Sequence, residues 1–290
     1  MVLLQQLKIS TLFHPVIHIV EKEIEVINTP NTYLLIQVAD GFIGFVSFHP
    51  SEKKVNGWVL YKVEQNLSVS FMQDMLSEIA AAETWVHNNY HKILIVQQNC
   101  RNITLPVSLS KEEGKEALFN LMFGKRKNEL HLKDIVLQQN IVNHFAVDSM
   151  IADVMNKKFP KAEWWHVQSL LLSKDASSET IITATIWLNE IHLTVEKNSQ
   201  WLLLQTYIYQ TPEDALYIIL NAMKQLNITQ EECKVLLQGM IDQRSPLFDM
   251  LQLYILNLEF NNQLEYQFPA TDQHPVHLFS SLDQLLSCVS

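Results

Sequence analysis

Residues 181–242 read IITATIWLNEIHLTVEKNSQWLLLQTYIYQTPEDALYIILNAMKQLNITQEECKVLLQGMID, and the order of patterns in this stretch decides the fold. Ile182, Ala184, Ile186 and Leu188 alternate with Ile181, Thr183, Thr185 and Trp187, the period of two expected of a strand. Ile191, Leu193 and Val195 alternate again after a very short connection, so the pair reads as a hairpin. Trp201 to Tyr209 supplies a third, more apolar strand. Thr211, Pro212 and Asp214 then start a helix with an N-cap residue, a first-turn proline and a first-turn acid. Leu216, Ile219, Leu220, Met223 and Leu226 line one helical face. Val235 to Leu237, ending at Gly239, suits a buried strand lying parallel to its neighbour across the helical crossover.

The same succession occurs upstream. Ile17, Ile19, Ile24 and Val26 are the apolar members of an edge strand expected between Lys8 and Val26, before Pro30. Tyr33 to Val38 and Phe42 to Phe48 form a hairpin around Asp40-Gly41, a dipeptide suited to a tight turn, and Gly57 to Val63 is a third strand. Ser70 and Gln73 make an S-x-x-Q capping box before Met72, Met75, Leu76, Ile79 and Val86, which recur at helical spacing up to Lys92. Ile93 to Val96 is the fourth strand. Three strands, a helix and a strand thus appear twice, offset by roughly 140 residues. Ser110 and Glu113 cap a further helix, Leu130 to Leu137 and Ile141 to Ala146 read as strands, and a helix runs from Asp148 to Lys158. Pro160 marks the expected boundary, giving domains of residues 1–160 and 161–290. Past Gly239, Ser245-Pro246 opens another helix, and Leu278, Phe279, Leu282, Leu285 and Leu286 predict a C-terminal amphipathic helix with a buried face.

An antiparallel three-strand meander followed by alternating helices and parallel strands is the ribonuclease-H-like module. Two in tandem predict an α/β protein of duplicated ribonuclease-H-like modules, the actin-like ATPase architecture. At residue level the chain resembles a family of bacterial proteins of unassigned activity, a domain of unknown function known to adopt that fold. The resemblance is carried by the Asp40-Gly41-Phe42 hairpin, Thr211-Pro212-Glu213-Asp214-Ala215-Leu216-Tyr217, Leu237-Gln238-Gly239, and His277-Leu278-Phe279 ahead of Cys288. None of these is a catalytic signature.

Composition narrows the function. A formal charge of −10 opposes a nucleic-acid binder, and the densest basic cluster is only Lys125-Arg126-Lys127. The cysteines, Cys100, Cys233 and Cys288, are widely spaced and suit reduced thiols. The first twenty residues lack a basic leader and a cleavage site, and no segment is apolar for some 18 residues, so a cytoplasmic protein without a membrane partner is expected. His14-Pro15-Val16-Ile17-His18 and His274-Pro275-Val276-His277 pair histidines, but their prolines oppose a helix that would aim both rings at one metal. Neither G-x-x-x-x-G-K-S/T nor a serine elbow occurs. Trp164-Trp165 reads as packing ahead of an interface anchor.

The resemblance implies a test for nucleotide chemistry, because actin-like ATPases hold phosphate in two glycine-bearing hairpins, one per lobe. The first hairpin offers Asp40-Gly41-Phe42-Ile43-Gly44, which departs from the usual Asp-x-Gly-Thr or Asp-x-Gly-Ser spacing. The second, Trp187-Leu188-Asn189-Glu190-Ile191, has no glycine, and the adenosine-side turn retains only Gly239. The expectation is therefore a non-catalytic protein-interaction platform without catalytic residues, metal or cofactor, whose partner is another protein. The alternative is a divergent ATPase or phosphotransferase using Asp40 and Asp242 as acids and Gly41 and Gly239 as backbone contacts.

Overall fold

The computed structural model describes residues 14–21, 24, 31–63, 69–110, 115–269 and 273–289. The chain forms two compact units, one reaching Ser169 and including Tyr266–Pro269, the other made of Leu170–Glu265 and the described residues beyond 270.

The first unit is built on a six-stranded sheet of β1 (Pro15–Val20), β2 (Tyr33–Ala39), β3 (Phe42–His49), β4 (Lys54–Lys62), β5 (Lys92–Gln98) and β9 (Glu163–His166), in the order β1-β4-β3-β2-β5-β9. Strands β2, β3 and β4 are an antiparallel meander, and α1 (Val69–Ala82) carries the chain across to β5, which lies parallel to β2. Alternate residues of the meander bury Leu34, Ile36, Val38, Phe45 and Val59 against Met72, Met75, Leu76 and Ile79 of α1. The expected capping box at Ser70 and Gln73 is not the helix start. Helix α1 already begins at Val69, so Ser70 sits inside its first turn, and the helix ends at Ala82 well short of Lys92. Leu34 through Ala39 and all of β3 are buried, so both faces of these strands are covered. Strand β1 covers the outer edge at β4 and is fastened by Glu83, whose carboxylate accepts from His18 Nε2 (2.9 Å), Trp85 Nε1 (2.7 Å) and the Tyr61 hydroxyl (3.3 Å). The Lys8–Phe13 and Val26 portions of the edge-strand expectation lie outside the described residues.

The second unit contains β10 (Ile181–Ile186), β11 (Glu190–Lys197), β12 (Gln200–Ile208), β13 (Lys234–Gly239) and β14 (Leu258–Phe260), ordered β12-β11-β10-β13-β14. Numbered by position within the unit, this is third, second, first, fourth, fifth. The same order appears in the first unit once β1 is set aside, and the two crossover helices both have 14 residues. The topology is therefore duplicated. Crossover helix α5 (Pro212–Gln225) begins as its sequence requires. Thr211 Oγ1 accepts the Asp214 N–H, and the Asp214 carboxylate accepts the Thr211 and Gln210 N–H groups, which hold its pKa below the usual value. Helix α6 (Pro246–Tyr254) is capped by Ser245, and α7 (Val276–Val289) lies against β13.

Between β5 and β9 the first unit carries an inserted antiparallel sheet, β6 (Asn102–Pro106), β7 (Glu129–Val136) and β8 (Ile141–Asp148) in the order β6-β8-β7. Helix α2 (Lys115–Phe123) covers one face through Phe119, packed on Ile103 and Ala146. Glu113, expected in the cap before α2, lies outside the described residues. Helix α3 (Ser149–Lys158), N-capped by Asp148, follows, and β9 leads into the short α4 (Val167–Leu171). The buried Arg101 anchors the insertion: it donates to the carbonyls of Phe123 (2.8 Å) and Gly124 (3.1 Å), pairs with Glu129, and lies over the Phe119 and Phe123 rings. A second buried network joins the insertion to β9. Asp134 accepts the His166 N–H (2.8 Å) and the Ser169 hydroxyl, and Ser169 in turn accepts from Asn143 (2.9 Å). The Nε2–H of His166 donates to the Asn99 carbonyl (3.2 Å), consistent with its Nδ1 accepting the Gln168 N–H (3.3 Å).

Two tests follow from this packing. Burial pushes the Asp134 carboxyl up to about 6 from 3.8, outweighing hydrogen bonds that act the other way. The unfolded chain gives up this proton near pH 4 and the folded chain holds it to about pH 6, so stability falls as pH rises through that window, by at most about 3 kcal/mol. Asp134→Asn keeps an acceptor for the His166 N–H without the charge. Its melting temperature should exceed that of the parent at about pH 7.5 and lose that advantage near pH 4; parallel curves for the two proteins would contradict this. Leu282 on α7 is fully buried, with Phe279, Leu285 and Leu286 beside it on the same helix face. Leu282→Ala should cost about 2–5 kcal/mol by denaturant titration, and a chain cut before Leu278 should melt several degrees lower. An unchanged melt would make α7 a detachable segment.

Candidate functional site

In open sheets of this kind, ligands bind outside the carboxyl ends of the parallel strands, and each unit has its own set of such ends. In the first unit, β2 leads into the Asp40-Gly41 bend. Asp40 is exposed, and the Gly41 carbonyl accepts the Val63 N–H at 2.9 Å, which ties the bend to the end of β4. Gly44 is closely packed: a Cβ there would come 2.9 Å from Gln37 Oε1 and 3.0 Å from Leu60 Cδ1, and those side-chain ends would have to shift. The other carboxyl ends, at Asn99 and His166, enter the buried network that holds the insertion.

In the second unit, β10 and β11 are joined by the two-residue turn Leu188-Asn189. The Trp187 N–H donates to the Glu190 carbonyl (2.8 Å), while Tyr209 donates its hydroxyl to the Trp187 carbonyl (3.0 Å) and its N–H to the Asn189 carbonyl (3.1 Å). Trp187 and Glu190 are both buried, and the Glu190 carboxylate lies 3.5 Å from His192 Nε2. The turn thus rests on a buried indole and a buried carboxylate, and its Trp187 N–H, which a phosphate cradle would need bare, is taken by the Glu190 carbonyl. Gly239 ends β13 with φ +84°, a conformation that disfavours any side chain, and a Cβ there would collide with the Ile186 carbonyl oxygen. That oxygen accepts the Met240 N–H at 2.7 Å, so the glycine serves the close approach of β13 to β10. Beside it Gln238 donates to Thr185 Oγ1 (2.8 Å) and Gln284 Oε1 (3.0 Å) and accepts from Asn261 (2.8 Å). Asp242 is exposed in the following loop, its Oδ1 accepting the Arg244 N–H at 2.7 Å.

Asp40 and Gly41 therefore belong to the first unit, and Gly239 and Asp242 to the second. Within the second, Gly239 is absorbed by chain packing and Asp242 by a local turn. One histidine of each pair finds a protein partner: His18 donates to Glu83, and His277 donates from Nε2 to the Ile241 carbonyl (2.7 Å) while stacking on Phe260. Burial lowers the His277 pKa. Among the described residues no group of three His, Cys, Asp or Glu side chains could hold a metal, and no helix is long and apolar enough to cross a membrane.

Pattern reading missed the buried polar side of the second sheet. Thr183, Thr185, Glu190, His192, Thr194, Thr206 and Gln238 share the face opposite the apolar core, and all are buried. Their alternation was visible, but a period of two identifies faces and leaves open whether the second is solvated.

Similarity to solved structures agrees with the duplicated topology. A Bacteroides thetaiotaomicron VPI-5482 protein with actin-like ATPase fold and unknown function superposes with a TM-score of 0.71 at 21% identity, covering 89% of this chain and 96% of that one. A chain of the PilM-PilN type IV pilus biogenesis complex gives a TM-score of 0.51 at 11% identity, over 89% and 96% of the two chains. At these identities the likeness establishes the fold, which is the actin-like ATPase fold. No curated protein matches the sequence. The model of the family described as protein of unknown function DUF3822 matches residues 21–258, and the chain belongs to that family.

Proposed function

We propose that this protein is a non-catalytic member of the actin-like fold, acting in the cytoplasm as a platform for another protein. The observation that carries this reading is the β10–β11 turn. It has no glycine, its Trp187 N–H is already bonded to the Glu190 carbonyl, and the carboxylate nearest to it, Glu190, carries the wrong sign for a phosphate. Catalysis of phosphoryl transfer is almost entirely positioning and charge neutralisation, and a hairpin with no cation and its Trp187 N–H already bonded offers the anion little of either. The net charge of −10 repels it as well. The Asp40-Gly41 bend adds no cation, so any affinity for MgATP should be weaker than about 1 mM.

Calorimetric titration with a non-hydrolysable ATP analogue and magnesium tests this half of the proposal, and no saturable isotherm is expected. A micromolar isotherm abolished by Asp40→Ala would overturn it in favour of a nucleotide-dependent enzyme using Asp40 and Asp242. The platform half predicts a stoichiometric protein partner that stays bound through gel filtration of native extract; a chain that always elutes alone contradicts it.

A further inference from the structure

We infer that a second copy of this chain docks, head to tail, between two exposed faces that carry opposite charge. The first face is the outer side of α2 and the loop after it. Leu121 and Met122 are 83% and 59% exposed at the end of the helix, and the exposed Lys125, Arg126 and Lys127 follow directly after Gly124. This face is held rigid from beneath, because Arg101 binds the carbonyls of Phe123 and Gly124. A solvent-exposed leucine and methionine on a fixed helix end, beside three adjacent cations, suit an apolar surface rimmed by acids.

The second unit presents such a surface. At the end of α6, Leu253, Tyr254 and Leu256 are 81%, 56% and 67% exposed. Gln230 fixes their backbone by donating to the Tyr254 carbonyl (2.7 Å) and accepting the Leu256 N–H (3.1 Å). The residues after Gln230 line an open depression with Glu179, Glu231, Glu232 and Glu259 on its walls. Lys197 and Lys234 pair with Glu232 and Glu259, each at 3.4 Å, which leaves the rim net negative. The chain thus carries an apolar, basic face on one unit and an apolar, acidic face on the other. Such a contact joins different surfaces of two identical subunits and is heterologous. The inference is independent of the platform reading, since a nucleotide-binding protein could assemble through the same faces.

Sedimentation velocity of the full chain tests it with two surface variants, each first checked for an unchanged melting curve. One combines Leu121→Asp with Arg126→Glu, and the other combines Leu253→Asp with Leu256→Asp. The parent should associate with a dissociation constant on the order of tens of micromolar, weakened about tenfold or more when salt rises from about 0.05 to 0.5 M. Each variant alone should be monomeric at about 100 μM, and an equimolar mixture should form a dimer that does not grow, because each retains the face the other lacks. A monomeric parent overturns the proposal. So does loss of association in only one variant, which would mark an isologous contact. Binding of the monomeric parent to vesicles of neutral and anionic phospholipid, abolished by the α2 variant alone, would assign the basic face to a membrane surface and overturn it likewise.

Discussion

Each unit depends on the parallel pairing of its first and fourth strands, β2 with β5 and β10 with β13, across a helix of four turns. This pairing needs a crossover long enough to return the chain to the same end of the sheet, and the helix that provides it must bury one face on the meander. The apolar residues at Met75 and Ile79 in one unit and Ala215 and Ile219 in the other meet that need. It also brings the carboxyl ends of neighbouring strands together. At Gly239 the close approach is met by omitting a side chain beside Ile186. A glycine at a strand end in this fold therefore answers first to chain geometry, and its presence alone is no argument for a phosphate.

The duplication was legible because long amphipathic elements announce their period. The meanders, both crossover helices, the Thr211 cap and the C-terminal helix all emerge from spacing alone. Local chemistry was less sharp at Ser70, where the S-x-x-Q match lies one residue inside the described start of the helix at Val69. Strand β6 was missed because Ile103 and Leu105 are only two apolar members between polar residues, too few for a period to register. The inserted sheet was seen as strands but not as a separate layer. Its attachment rests on Asp134 meeting His166 and Ser169, which lie 32 or more residues further along the sequence.

The site was legible in a different sense. The missing glycine in Trp187-Leu188-Asn189-Glu190 could be read directly, yet its meaning needed the structure. There the Trp187 N–H is bonded to the Glu190 carbonyl, Tyr209 is bonded to the Trp187 and Asn189 carbonyls, and the Glu190 side chain is buried. Sequence placed Asp40, Gly41, Gly239 and Asp242 as an alternative set, and what the fold adds is the internal use of Gly239 and the local turn that occupies Asp242. Fold identity contributes nothing to activity here, since one architecture hosts many chemistries and function resides in the groups placed upon it.

The central claim is that neither the 40–44 bend nor the 187–190 turn takes up a nucleotide. Amide hydrogen exchange, followed by mass spectrometry with and without about 0.1 mM MgATP, reads those turns directly. The account predicts identical exchange at residues 40–44 and 187–190 under both conditions. Slowed exchange at both turns on addition of MgATP would contradict it.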